Sequence, residues 1–209
     1  NQWFRFYDVR NAEAVSVAGQ LSIRWAERAV NQYLNKILET ENDDYVLASD
    51  TDSLYVTLDS LVQKVGLTDT NKIIEFMDKV CEGKIQDVID KCYGEMAEYV
   101  NAFQQKMVMK REVLAEVGIW TGKKHYILNV HNSEGVQYDE PKLKIMGIEA
   151  VKSSTPEPCR NALKEAMKIM MNGTEDDVID YIEDFKTKFK TLPAEEVSFP
   201  RSVKGLAKY

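Results

Sequence analysis

Covalent bracing is scarce in this chain. Its 209 residues include three cysteines, Cys81, Cys92 and Cys159, too few and too widely spaced for a disulfide framework or a zinc site. They read as buried thiols of a reducing compartment. No apolar run approaches the roughly 20 residues of a membrane span, and no signal peptide opens the chain. Low-complexity stretches and internal repeats are also missing. Aromatics at 10% of the residues exclude a disordered chain. The length is large for one compact domain and short for two. Asn1-Gln2-Trp3 lacks an initiator methionine, which points to a piece of something longer.

A net charge of −7 argues against bulk non-specific binding of nucleic acid, but it is unevenly spread. Gln104–Lys152 holds eight Lys/Arg against six Asp/Glu, so this third is +2 and the rest −9. Only there would a polyanion be welcome, although a solvated surface explains the same lysines.

Ala12–Glu39 reads as a long helix with an apolar stripe through Ala18, Leu21, Trp25, Ala29, Tyr33 and Ile37, Trp25 being core. Tyr45–Leu58 changes to a period of two around Asp50-Thr51-Asp52, the pattern of a hairpin with an acidic turn. Asn71–Phe103 is helical again, with Gly83 and Gly94 able to kink it. Strands follow over Lys106–Val117, Lys123–Val130 and Leu143–Glu149. His131 falls in a turn between the last two and reads as surface. Beyond Ser153 the chain is helical, with Pro156 in a first turn and Thr174 capping the next helix. The expected fold is α+β, an antiparallel sheet with two long helices on one side, then a mainly helical segment. The best domain boundary lies near Gly147–Ser153.

Asp50 and Asp52 are two apart, so in an extended segment both point to one face. Carboxylates held that way repel each other unless a cation lies between them, and Mg²⁺ suits a site with few carboxylates, retained waters and substrate phosphates. A polar β-turn with locally hydrogen-bonded aspartates is the alternative. Lys123-Lys124 similarly reads either as a phosphate grip or as a solvated strand edge.

The flanking residues add a resemblance. Ser49-Asp50-Thr51-Asp52-Ser53-Leu54-Tyr55 resembles motif C of the family B DNA polymerases. Trp120–Val130, with Lys123-Lys124-His125-Tyr126, resembles that family's KKRY segment. Glu140–Gly147 and Val151–Pro156 resemble its junction of palm and thumb, and Phe4–Ala12 the stretch after its fingers. The strings stand in family order, nearest to the members found in T-even-type bacteriophages.

The resemblance implies a palm sheet backed by the two long helices, with a partial palm over residues 1–147 and the beginning of a thumb over 148–209. It makes Asp52 a direct metal ligand, Asp50 its acidic companion and Glu112 a further acidic residue near the metals. Lys123, Lys124, Tyr126 and Lys152 fall where the primer strand is held. By strand alternation Lys124 and Tyr126 share a face. The implied cofactors are two Mg²⁺ ions, with Mn²⁺ as substitute. The implied partners are primer-template DNA, deoxynucleoside triphosphates, a motif A strand, fingers, an exonuclease domain and a sliding clamp, with no membrane. The implied setting is the cytoplasm of an infected bacterial host. Two residues depart from the pattern: His125 replaces an arginine, and Lys110 stands where near relatives carry an acid. No motif A segment is found, so the chain by itself is expected to be inactive. The other readings are a magnesium-dependent phosphoesterase, for which the two histidines are poorly placed, and a non-catalytic DNA- or protein-binding module.

Overall fold

The computed structural model describes residues 3–202 and 204–205. The chain is α+β and packs as two units, the first ending at Glu112 and the second beginning at Val113. Residues from both sides of Gly147 meet in one apolar cluster, Ile127, Leu143 and Ile145 with Ala150, Leu163 and Met167.

In the first unit α1 (Val9–Leu38) starts three residues earlier than the apolar pattern suggests. Asp8 explains this: its carboxylate accepts the Arg10 backbone N–H at 2.9 Å and caps the helix. The buried stripe is Ile23, Ala26, Val30 and Leu34, offset from the expected one. Trp25 lies at the edge of that stripe, half-buried, its ring 5.2 Å from that of Tyr99. The expected second helix is one run with a defect: α3 (Thr70–Val80), a π-helical turn over Cys81–Ile85, and α4 (Gln86–Tyr99). The wide turn contains Gly83, and Cys81 and Ile85 on either side of it are buried. A short α2 (Asp59–Val65) precedes them. Helices α1 and α4 pack on each other, with Val30, Leu34, Cys92 and Tyr93 almost wholly buried. Burial of Val30 and of Leu34 contributes about 1.5–3 kcal/mol each.

β1 (Val46–Asp50) and β2 (Ser53–Val56) form an antiparallel hairpin packed on α1. Two asparagines one helical turn apart aim it. Asn31 Oδ1 accepts the Tyr45 N–H at 2.9 Å, and its amide donates to Asp44 Oδ1 at 2.9 Å. Asn35 Oδ1 accepts from the Asp43 N–H at 2.9 Å and from the Thr40 hydroxyl at 2.8 Å. The chain leaving α1 is thereby tied back onto it just before the strand begins.

The second unit is a three-stranded antiparallel sheet, β3 (Val113–Gly122), β4 (His125–Ser133) and β5 (Val136–Met146), in that order. The strands therefore belong to two sheets, one in each unit, and not to the single sheet expected. Central β4 is buried along nearly its whole length. His131 is part of it, buried, with Nε2 3.1 Å from Glu116 Oε2, which corrects its placement on the surface. A short 3₁₀ turn (Glu149–Val151) leads to α5 (Glu157–Asn172), α6 (Glu175–Phe189) and a four-residue α7 (Ala194–Val197). Thr174 caps α6 as expected: its hydroxyl accepts the Asp177 N–H at 3.3 Å, and the Asp177 carboxylate accepts the Thr174 N–H at 2.8 Å.

Candidate functional site

The first unit presents the acidic hairpin. Asp50 pairs with Ser53, so only Thr51 and Asp52 form the turn. Thr51 has φ +54°, and the Asp52 N–H donates to the Asp50 carbonyl at 2.6 Å, closing a three-residue turn about Thr51. Such turns are strained, and a β-branched residue in left-handed conformation is a true outlier. Asp50 is half-buried at the strand end while Asp52 is exposed. The two acids are thus joined by a reversal of the chain, which replaces the extended alternation expected for them. The Ser53 hydroxyl donates to the Asp50 carbonyl at 3.1 Å and the Thr51 hydroxyl to Asp50 Oδ1 at 3.1 Å. These contacts order the backbone and one carboxylate oxygen at the tip.

Glu112 is exposed at the end of the irregular segment that precedes β3. What holds this segment was not visible in the sequence. The Arg111 guanidinium is buried and ion-paired to Asp78 of α3, and it lies 3.3 Å from Glu82 in the π turn. The Gln86 amide donates to the Met109 carbonyl at 2.9 Å. Burial pushes the Cys81 thiol up to about 11, with the Arg111 charge pulling it the other way. Among the described residues no three His, Cys, Asp or Glu side chains come together to hold a metal. Asp50 and Asp52 offer one half-buried and one exposed carboxylate, a pair that would suit a magnesium ion keeping most of its waters and not an all-protein cage.

In the second unit Lys123 and Lys124 are the two turn residues between β3 and β4, because Gly122 pairs with His125. Both are exposed, and Lys124 has φ +62°. Lys124 therefore does not share a strand face with Tyr126. That residue is inside β4, 8% exposed, its ring 6.3 Å from that of Trp120. Lys152 follows the 3₁₀ turn, exposed and ion-paired to Glu149, whose carboxyl it holds below the usual range. Tyr126 pairs with Met146, so the Lys123-Lys124 hairpin and the strand end that leads toward Lys152 lie at the same end of the sheet. His125 Nδ1 lies 2.7 Å from the Lys123 carbonyl. A carbonyl can only accept, so Nδ1 carries the proton.

The acidic hairpin belongs to the first unit and the lysine-tipped hairpin to the second. A family model described as divergent family B DNA polymerase matches residues 36–184, a span that includes both hairpins. The chain belongs to that family. Two similar proteins are DNA-directed DNA polymerases, one of Escherichia phage RB69 (43% identical) and one of Enterobacteria phage T4 (36% identical). Each alignment covers all of this chain and 24% of the relative. The chain thus spans about a quarter of the length of these relatives. Among its described residues no helix is long and apolar enough to cross a membrane.

Proposed function

We propose that this chain is the part of a template-directed DNA polymerase that supplies motif C carboxylates and primer-strand contacts, residues 1–147 belonging to the palm and 148–209 opening the thumb. The observation that carries the reading is the Asp50-Thr51-Asp52 turn, strained at its centre and solvated at its tip, in a member of this polymerase family. Strain in a turn persists where surrounding structure imposes it, and such places are enriched in functional sites. Asp52 would hold Mg²⁺ directly and Asp50 would support it, with Mn²⁺ able to substitute and Glu112 acting from nearby. When bound, the ions would activate the primer 3′ hydroxyl and neutralise the triphosphate of the incoming nucleotide.

The protein's own residues do the remaining work. The Ser53 hydroxyl and the Asp52 N–H fix the carbonyl of Asp50, so the acids are presented on a preset backbone. Lys123, Lys124 and Lys152 supply positive charge for primer phosphates, contacts that position the strand without reading its sequence. Tyr126, its ring 6.3 Å from that of Trp120, gives β4 a firm base beneath that turn.

Primer-template DNA and deoxynucleoside triphosphates are the substrates of this reading. Further polymerase segments (a motif A strand, fingers and an exonuclease domain) and a sliding clamp are its partners, in the cytoplasm of a phage-infected bacterium. Two carboxylates alone make an incomplete catalytic metal site, so the chain by itself should not extend primers. The test is fluorescence anisotropy with a primer-template duplex. Lys124→Ala and Lys152→Ala should each weaken binding several-fold, with little change for Asp52→Asn. Equal affinity in the two lysine variants and the parent would refute the proposed primer contacts.

A further inference from the structure

We propose that Gly147 is a positioning residue that docks the Lys123-Lys124 turn against the Lys152 segment, making three lysines act as one phosphate-binding unit. The inference rests on the primer-contact reading above and concerns how those contacts are assembled.

Gly147 follows β5 directly, at φ +72°, in the left-handed region that glycine tolerates. A Cβ there would lie 2.3 Å from the Lys124 carbonyl oxygen and 2.8 Å from His125 Cδ2. Neither neighbour can give way cheaply. The carbonyl belongs to the backbone of a turn already held at φ +62°, and the His125 ring is tied through Nδ1 to the Lys123 carbonyl. Tyr126 pairs with Met146 across the ladder, so the strand end that carries Gly147 lies directly beside the base of that turn. Five residues past Gly147, Lys152 pairs with Glu149. A close approach of backbone to backbone, possible only without a Cβ, therefore holds the Lys124 turn against the strand end that leads into the Lys152 segment.

The second unit contains its own control. Gly135, in the β4–β5 turn, has φ +84° and nothing within 4 Å of where a Cβ would stand. Gly135→Ala imposes a comparable backbone penalty with no effect on the lysine turn. The experiment measures binding of a primer-template duplex by the 209-residue chain across a salt series, with thermal midpoints recorded on the same samples. Each phosphate contact contributes about 0.9 to the slope of log K against log salt. Gly147→Ala should weaken binding several-fold and reduce the slope by about 1–2, while Gly135→Ala keeps the parent slope. A parent-like slope in Gly147→Ala, with Lys124→Ala reduced, overturns the positioning role and leaves the primer contacts standing. Parent-like binding in Lys124→Ala and Lys152→Ala removes both. If Gly147→Ala does not fold, His125→Ala decides the matter, since it deletes the ring that braces the turn. A reduced slope then supports the lock and an unchanged slope overturns it.

Discussion

Replacing Thr51 with glycine should stabilise the first unit, the reverse of what glycine does in an ordinary strand or turn. Thr51 holds φ +54°, where an L-residue costs about 1–2 kcal/mol and a β-branched one lies at the upper end. Glycine removes that cost but gives back about 0.7 kcal/mol through the freedom it adds to the unfolded chain. The hydroxyl bond to Asp50 Oδ1, on an exposed tip, accounts for about 0.5 kcal/mol more. The remainder is a gain of about 0.8 kcal/mol, or roughly 2–3 °C in the unfolding midpoint for a chain of this size. Thr57→Gly is the comparison: Thr57 is not among the residues with positive φ, so glycine there should cost about 0.5–1 kcal/mol. Differential scanning fluorimetry on both variants reads the sign. A lower midpoint for Thr51→Gly would show that the tip is not strained, and the case for an enforced metal-presenting turn would lose its physical basis.

Removal of the Arg111 side chain should strand Asp78 and Glu82. Breaking a buried pair costs about 3–5 kcal/mol, and because both acids keep some contact with water the lower end, about 3 kcal/mol, is expected in urea unfolding. A loss below about 0.5 kcal/mol would mean that Arg111 does not anchor the segment before Glu112. Cysteine alkylation supplies a pH-linked test. Burial pushes Cys81 and Cys92 up to about 11, so both stay protonated and unreactive at a mildly alkaline pH of about 8, while the partly exposed Cys159 reacts. Mass spectrometry of the native chain after brief iodoacetamide treatment should find one modified cysteine, and labelling of Cys81 or Cys92 at the same rate would contradict their burial.

The elements whose signals are local were legible in the sequence. The hairpin about Asp50-Thr51-Asp52, the long first helix and the Thr174 cap all depend on residues a few positions apart. Relationships over longer distances were not. Asn31 and Asn35 look like weak helix formers until Asp43 and Tyr45 are seen to close on them, and Arg111 finds Asp78 and Glu82 some thirty residues away. Register defeated the alternation argument for Lys124: the turn between β3 and β4 takes both lysines, so strand parity starts only at His125. His131 was misplaced for a related reason, since β4 continues through residues with the composition of a turn and buries them. The division into two sheets was hidden because a sheet is made by partners, and strand patterns name no partner.

Manganese relaxation tests the central claim most directly. Mn²⁺ titrated into the ¹⁵N-labelled chain should broaden the amide signals of Thr51, Asp52 and Ser53 first, and Asp52→Asn should abolish that selectivity. Broadening that begins elsewhere, or that is unchanged in Asp52→Asn, would contradict a cation-holding turn.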